Sequence, residues 1–260
     1  MKIARFSHAG TIAFGIIDDD ELVVLTGDPM FAGYNPTGQR LPLVDVAVLA
    51  PVIPRSKIVG LSGAYFADAA AKAAALSAPG ERAEPSFFLK PNTSVVGPND
   101  AIMLPEQSQD VRVEGEVAIV IGRIIKNVSV ADAPAAIFGY TIANDVTAVD
   151  VQLQDGQLAR AKSFDSFCPL GPVIETEFDP QGAQISGRVN DSEFASGDLS
   201  LLAFSMAEIV SFVSHAFTLL PGDVILTGSP SAAAPVVEGD MARIEIAGLG
   251  VLTNPVRRGA

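Results

Sequence analysis

The run Val111-Arg-Val-Glu-Gly-Glu-Val-Ala-Ile-Val-Ile121 constrains this chain more than any other stretch. It reads as a buried β-strand into which two glutamates, Glu114 and Glu116, are set one residue apart. Side chains alternate between the faces of a strand, so both carboxylates point the same way. Like charges on one partly buried face repel, and burial raises the cost of ionising each of them. Solvent, a basic partner or a bound divalent cation must therefore compensate. Carboxylate oxygens are hard donors suited to Mg²⁺ or Mn²⁺, with Ca²⁺ as a third candidate. A strand with a wet polar face, carrying Arg112, Glu114 and Glu116 in solvent, satisfies the same pattern. A third carboxylate, Asp145, closes a second β-like run, Gly139-Tyr-Thr-Ile-Ala-Asn-Asp-Val146, ahead of a polar stretch with helical character. Three acids from two elements make a facial set with open positions for water and substrate.

The formal charge of −13 argues against a nucleic-acid partner, because phosphate binding relies on clustered Lys and Arg. A small carboxylate substrate remains compatible, provided that a cation together with Lys162 or Arg160 dominates inside the cleft. No apolar stretch approaches a membrane span, and Met1-Lys-Ile-Ala-Arg-Phe lacks the apolar core of a secretory signal, so the cytoplasm is the expected compartment. The single cysteine, Cys168, lies between Phe167 and Pro169 and reads as a small buried hydrophobe.

Near the start, Lys2-Ile-Ala-Arg-Phe and Thr11-Ile-Ala-Phe-Gly-Ile-Ile17 alternate about a His8-Ala-Gly turn, and Glu21-Leu-Val-Val-Leu25 follows. This predicts a small antiparallel β appendage over residues 1–54. Residues 55–260 read as the main domain: short strands between Gly, Pro and Asn turns, with helices over Tyr65 to Leu76 and Met206 to Leu219. The fold class is thus α+β and strand-dominated. There is no Gly-x-Ser-x-Gly elbow, P-loop, His-Glu-x-x-His or dinucleotide fingerprint. Only His8 and His215 offer imidazole, and both read as surface or structural residues.

Several stretches, in order, carry a resemblance: Phe88-Leu-Lys-Pro91 with Val96-Gly-Pro98, Glu114-Gly-Glu-Val-Ala118, Gly139-Tyr-Thr-Ile-Ala-Asn-Asp145, Ala161-Lys-Ser-Phe-Asp165 with Cys168-Pro-Leu-Gly171, and Pro221-Gly-Asp-Val-Ile-Leu-Thr-Gly228. From Lys57 to Val256 the chain resembles the fumarylacetoacetate hydrolase superfamily, in the short bacterial form related to acylpyruvate hydrolases and 2-hydroxyhepta-2,4-diene-1,7-dioate isomerases. The resemblance implies a mixed β-roll catalytic domain, a homodimer and a role of the kind found in aromatic catabolism. It makes Glu114, Glu116 and Asp145 the expected metal ligands and Lys162 the active-site lysine. Tyr65, Lys90, Thr227 and Ser229 are the expected substrate contacts.

The chain also departs from that family. The hydrolases carry a lid His and Glu after a Gly-x-Asn-Tyr-like stretch, whereas this chain has Gly60-Leu-Ser-Gly-Ala-Tyr-Phe-Ala-Asp-Ala-Ala-Ala-Lys72, with Asp68 near the histidine position and Ala71 near the glutamate. Asp68 is either a surrogate base or one half of an i,i+4 pair with Lys72. Val149 stands where arginine is common in the family. The implied function is a divalent-metal-dependent enzyme acting on a 2-oxo acid or β-dicarbonyl through a stabilised enolate, as a carbon–carbon hydrolase or an isomerase. Without the lid pair, an oxaloacetate-type decarboxylase or a keto–enol tautomerase is an alternative, and a catalytically inactive metal- and carboxylate-binding protein is another.

Overall fold

A computed structural model describes residues 1–77 and 84–259. Its framework is a twelve-stranded sheet. The main path runs, in spatial order, Pro36–Pro42, Glu21–Leu25, Thr11–Asp18, Lys2–His8, Cys168–Glu175, Ile137–Asn144, Gly115–Ile121, Val224–Leu226, Ile58–Ser62 and Ser86–Lys90. The expected N-terminal meander is present, and Lys2–His8 joins it to the rest by antiparallel pairing with Cys168–Glu175. A five-stranded sheet centred on Met241–Ile246 packs beside this framework, and a three-stranded sheet places Val111–Val113 between Thr147–Ala148 and Ala234–Val236.

Strand Gly115–Ile121 is buried along its whole length, which explains why its sequence is apolar apart from Glu116. Val117, Ile119 and Ile121 enter one core cluster with Ile244, Leu252 and the helix residues Ile209, Val210 and Val213. Ala118 and Val120 face the opposite way, into a second cluster with Leu170 and Leu226. Gly115 is required by close packing, since a Cβ there would lie 2.8 Å from Ile244 Cγ2 and 3.0 Å from Ile185 Cδ1.

The longest helix, Met206–Ala216, opens with a capping box in which Ser205 and Glu208 satisfy each other's backbone amides. It stops short of Leu219 because Phe217 is extended and Leu219 forms an isolated β-bridge with Ile125. The alanine-rich helix is Ala69–Ser77, since Tyr65 is held in a bridge to Leu202. No helix among the described residues is long and apolar enough to cross a membrane.

Cys168 begins a central strand and is fully buried, as the sequence suggests, and burial pushes its thiol up to about 12. A thiol reagent at pH 8 is therefore expected to leave the native protein unlabelled and to react fully only after denaturation. Rapid native labelling with an aromatic disulfide reagent would contradict this burial.

Candidate metal and substrate cleft

The chain changes sheets at Glu114. Val111–Val113 belongs to the small sheet and Gly115–Ile121 to the large one, so the run read as a single strand is two, with Glu114 at the crossing. Local hydrogen bonds fix this corner. The Asn144 side chain accepts from Glu114 N at 3.1 Å, and Asp145 N donates to Glu114 O at 2.8 Å. Antiparallel pairing sets Glu116 opposite Ala143, so the end of strand Ile137–Asn144 delivers Asp145 beside the two glutamates.

Glu114, Glu116, Asp145 and Lys162 all line one cleft of about 330 Å³, together with Tyr65, Phe88, Arg112, Val149, Gln152 and Ser229. Glu116 is 2% exposed and accepts one hydrogen bond, from Gly228 N at 2.7 Å. It forms no ion pair among the described residues. Burial, reinforced by Asp145, pushes its carboxyl well above the usual range. Burial also raises Glu114, against the pull of Lys162. Asp145 behaves in the opposite way. Burial works against its anion, but Lys162 and Lys90 outweigh that cost and hold its carboxyl below the usual range. Lys162 Nζ donates to Asp145 and lies 3.3 Å from Glu114, and it sits 4.9 Å from the centre of the Phe88 ring. Burial disfavours its charge, yet the surrounding carboxylates raise its pKa, so it is an ammonium.

The donor set suits a hard divalent cation. Glu116, almost as deeply buried as Asp145, lacks an ion-pair partner among the described residues, and a cation beside it would supply the compensation that its raised pKa calls for. No group of three such side chains among the described residues is already drawn together around one point, because Lys162 holds Asp145 and reaches Glu114. Small side-chain shifts would be needed to gather the three.

The other expected contacts divide into two groups. Tyr65 and Ser229 line the cleft, and the Tyr65 hydroxyl is buried without a hydrogen-bond partner among the described residues. Lys90 and Thr227 lie beneath it. The Lys90 ammonium is spent on Asp145 and Val146 O, and the Thr227 hydroxyl donates to Val117 O at 2.9 Å. Both therefore support the site from below and do not form its wall.

Asp68 is exposed and absent from the cleft wall. Its carboxylate is used locally, accepting from Ala71 N at 2.7 Å in the first helical turn. It does not pair with Lys72 either, whose ammonium donates instead to Ser200 O and Leu202 O. Arg160 pairs with Asp155 on the surface, outside the cleft. His8 ends a strand of the N-terminal meander, and His215 contacts Ser211 O from the last turn of its helix; neither reaches the cleft. Arg112, which the sequence placed in solvent only under the wet-face alternative, is a cleft residue. The signal was the alternation itself, since 112, 114 and 116 share a face.

A family profile described as the fumarylacetoacetate hydrolase C-terminal domain matches residues 57–257, and one described as Rv2993c-like, N-terminal, matches residues 1–51. The chain is 39% identical to the human protein named oxaloacetate tautomerase FAHD2A, mitochondrial, over 83% of this chain and 71% of that one. The crystal structure of a 2-hydroxyhepta-2,4-diene-1,7-dioate isomerase from Mycobacterium marinum is similar over 100% of this chain and 99% of that one, with 41% identity and a TM-score of 0.90. A maleylpyruvate hydrolase from Sphingobium sp. SYK-6, solved with manganese(II) and pyruvate, matches over the full length of both chains with 27% identity and a TM-score of 0.80.

Proposed function

Because the chain belongs to the fumarylacetoacetate hydrolase family, we propose that it is a divalent-metal-dependent enzyme that interconverts the keto and enol forms of a small 2-oxo acid of the oxaloacetate or acylpyruvate type. One observation carries this reading: the Lys162 ammonium is buried in the cleft against Asp145 and Glu114. A cation held by Glu114, Glu116 and Asp145 would supply the Lewis acidity that draws negative charge onto the 2-oxo oxygen. A relative solved with Mn²⁺ and pyruvate supports this ligand chemistry.

Lys162 would stabilise the charge that develops on the enolate oxygen and hold the proton destined for it. Lys90 fixes Asp145 from below, and the Tyr65 hydroxyl, without a hydrogen-bond partner among the described residues, offers the substrate a hydrogen bond. Tautomerisation moves one proton between carbon and oxygen and breaks no carbon–carbon bond, so an electron sink and one proton carrier meet its needs. Hydrolysis of a carbon–carbon bond requires in addition a base to activate water, and Asp68 is committed to its helix.

The test follows conversion of enol-oxaloacetate to the keto form, and separately pyruvate release from oxaloacetate and from a short acylpyruvate, with Mg²⁺ or Mn²⁺ and then with chelator. The wild type is expected to accelerate tautomerisation, and chelation or Glu116→Ala to lower it by about 10²-fold or more. Pyruvate released from the acylpyruvate would make the protein a hydrolase, and release from oxaloacetate a decarboxylase. Stabilisation by the metal without any turnover would make it a binding protein.

A further inference from the structure

We infer that Arg112 is the specificity-determining residue of the cleft, selecting 2-oxo acids that carry a second, distal carboxylate. The inference rests on the reading of Glu114, Glu116, Asp145 and Lys162 as the place where the 2-oxo acid head binds. Arg112 lines the same cleft two residues before Glu114, on the same side of the chain, with about 7 Å of extended backbone between them. That spacing suits a four- or five-carbon diacid, with its 2-oxo acid end at the carboxylate–lysine cluster and its far end at the guanidinium.

The guanidinium is held in place before any ligand arrives. Nε and Nη2 donate to the two carboxylate oxygens of Asp110, each at 2.9 Å. Asp110 is itself anchored, because its carbonyl accepts from Val149 N at 2.8 Å at the start of helix Val149–Asp155. Of the five N–H donors of an arginine, two are used, and no acceptor among the described residues takes the rest. The fork side fixes the orientation while the remaining donors stay available to a planar carboxylate. Val149, whose amide holds Asp110 O, also lines the cleft and adds an apolar side chain there. Arg112 is partly exposed, its side chain at 39%, and its contribution is correspondingly modest.

The experiment compares two unreactive ligands of the same backbone length, 2-oxoglutarate and 2-oxopentanoate, which differ only in the distal carboxylate. Binding to the Mn²⁺-loaded protein is measured by calorimetry for the wild type, Arg112→Gln and Arg112→Lys, with thermal midpoints checking that each variant is folded. The wild type is expected to bind the diacid about tenfold more tightly than the monoacid. Arg112→Gln is expected to abolish that preference while changing monoacid affinity less than about twofold, and Arg112→Lys to restore part of it, because a point charge lacks the fork. Equal affinities in the wild type, a preference that survives Arg112→Gln, or binding of neither acid would overturn the inference. Turnover of oxaloacetate, followed on the same samples, keeps the two readings apart. Turnover without discrimination at Arg112 overturns only the specificity role, whereas discrimination without turnover overturns only the catalytic role.

Discussion

Replacing Lys162 by methionine is expected to lower kcat by about 10³-fold while the protein stays folded and binds a divalent cation at least as tightly as the wild type. The two halves of this result have one cause. In the structure Lys162 supplies a positive charge to Asp145 and Glu114. Removing it deprives the substrate enolate of its nearest fixed cation, and it also removes a competitor for the carboxylates that would hold the metal. Folding tolerates the change because Lys90, fully buried, still pairs with Asp145. Methionine keeps most of the volume, and its thioether suits the contact with Phe88. The comparison requires steady-state kinetics together with a calorimetric Mn²⁺ titration of both proteins. A loss of activity accompanied by weaker metal binding would make Lys162 a structural strut of the carboxylate cluster. A kcat within tenfold of the wild type would remove it from the chemistry altogether.

How far the sequence disclosed this site depends on which link of the chain of causes is considered. The alternation of Arg112, Glu114 and Glu116 is a local property of extended backbone, and it survived even though the strand itself did not. The break at Glu114 is tertiary in origin. Gly115 must approach Ile244 and Ile185 of the five-stranded sheet, and the hydrogen bonds of Glu114 go to Asn144 and Asp145, thirty residues along the chain. Nothing in the apolar run announces that contact. Lys90 and Thr227 were legible as members of recurring motifs, but their motifs do not say which side of the site they occupy. Burial decides that, and it turns both into supports for Asp145 and for strand Gly115–Ile121. Asp68 shows the opposite limit. Its sequence neighbourhood suggested a base or an ion pair, and the helix that starts at Ala69 claims its carboxylate for a free amide at the N-terminus.

Asp223→Ala is expected to cost about 3–5 kcal/mol of stability, a fall in thermal midpoint of roughly 10 °C, although Asp223 lies outside the cleft. Its carboxylate is completely buried and gathers donors from two separate segments. Ser56 Oγ lies 2.7 and 2.9 Å from its two oxygens, Lys57 Nζ donates at 2.6 Å and Lys57 N at 3.2 Å, and Leu220 N donates at 2.9 Å. Alanine would take from these donors their shared acceptor, a carboxylate that is itself completely buried, which is why the cost exceeds that of an ordinary surface pair. The same carboxylate sits where Val224–Leu226 begins its parallel pairing with Ile58–Ser62. That strand leads to Thr227 and Gly228, whose backbone amides hold Val117 O and Glu116. Thermal unfolding with and without Mn²⁺ tests both steps. If the strand transmits the damage, the variant loses stability in the absence of metal and also gains less from Mn²⁺ than the wild type does, because Glu116 is held less firmly. A midpoint within about 3 °C of the wild type would show that the Asp223 cluster is not what fixes this strand.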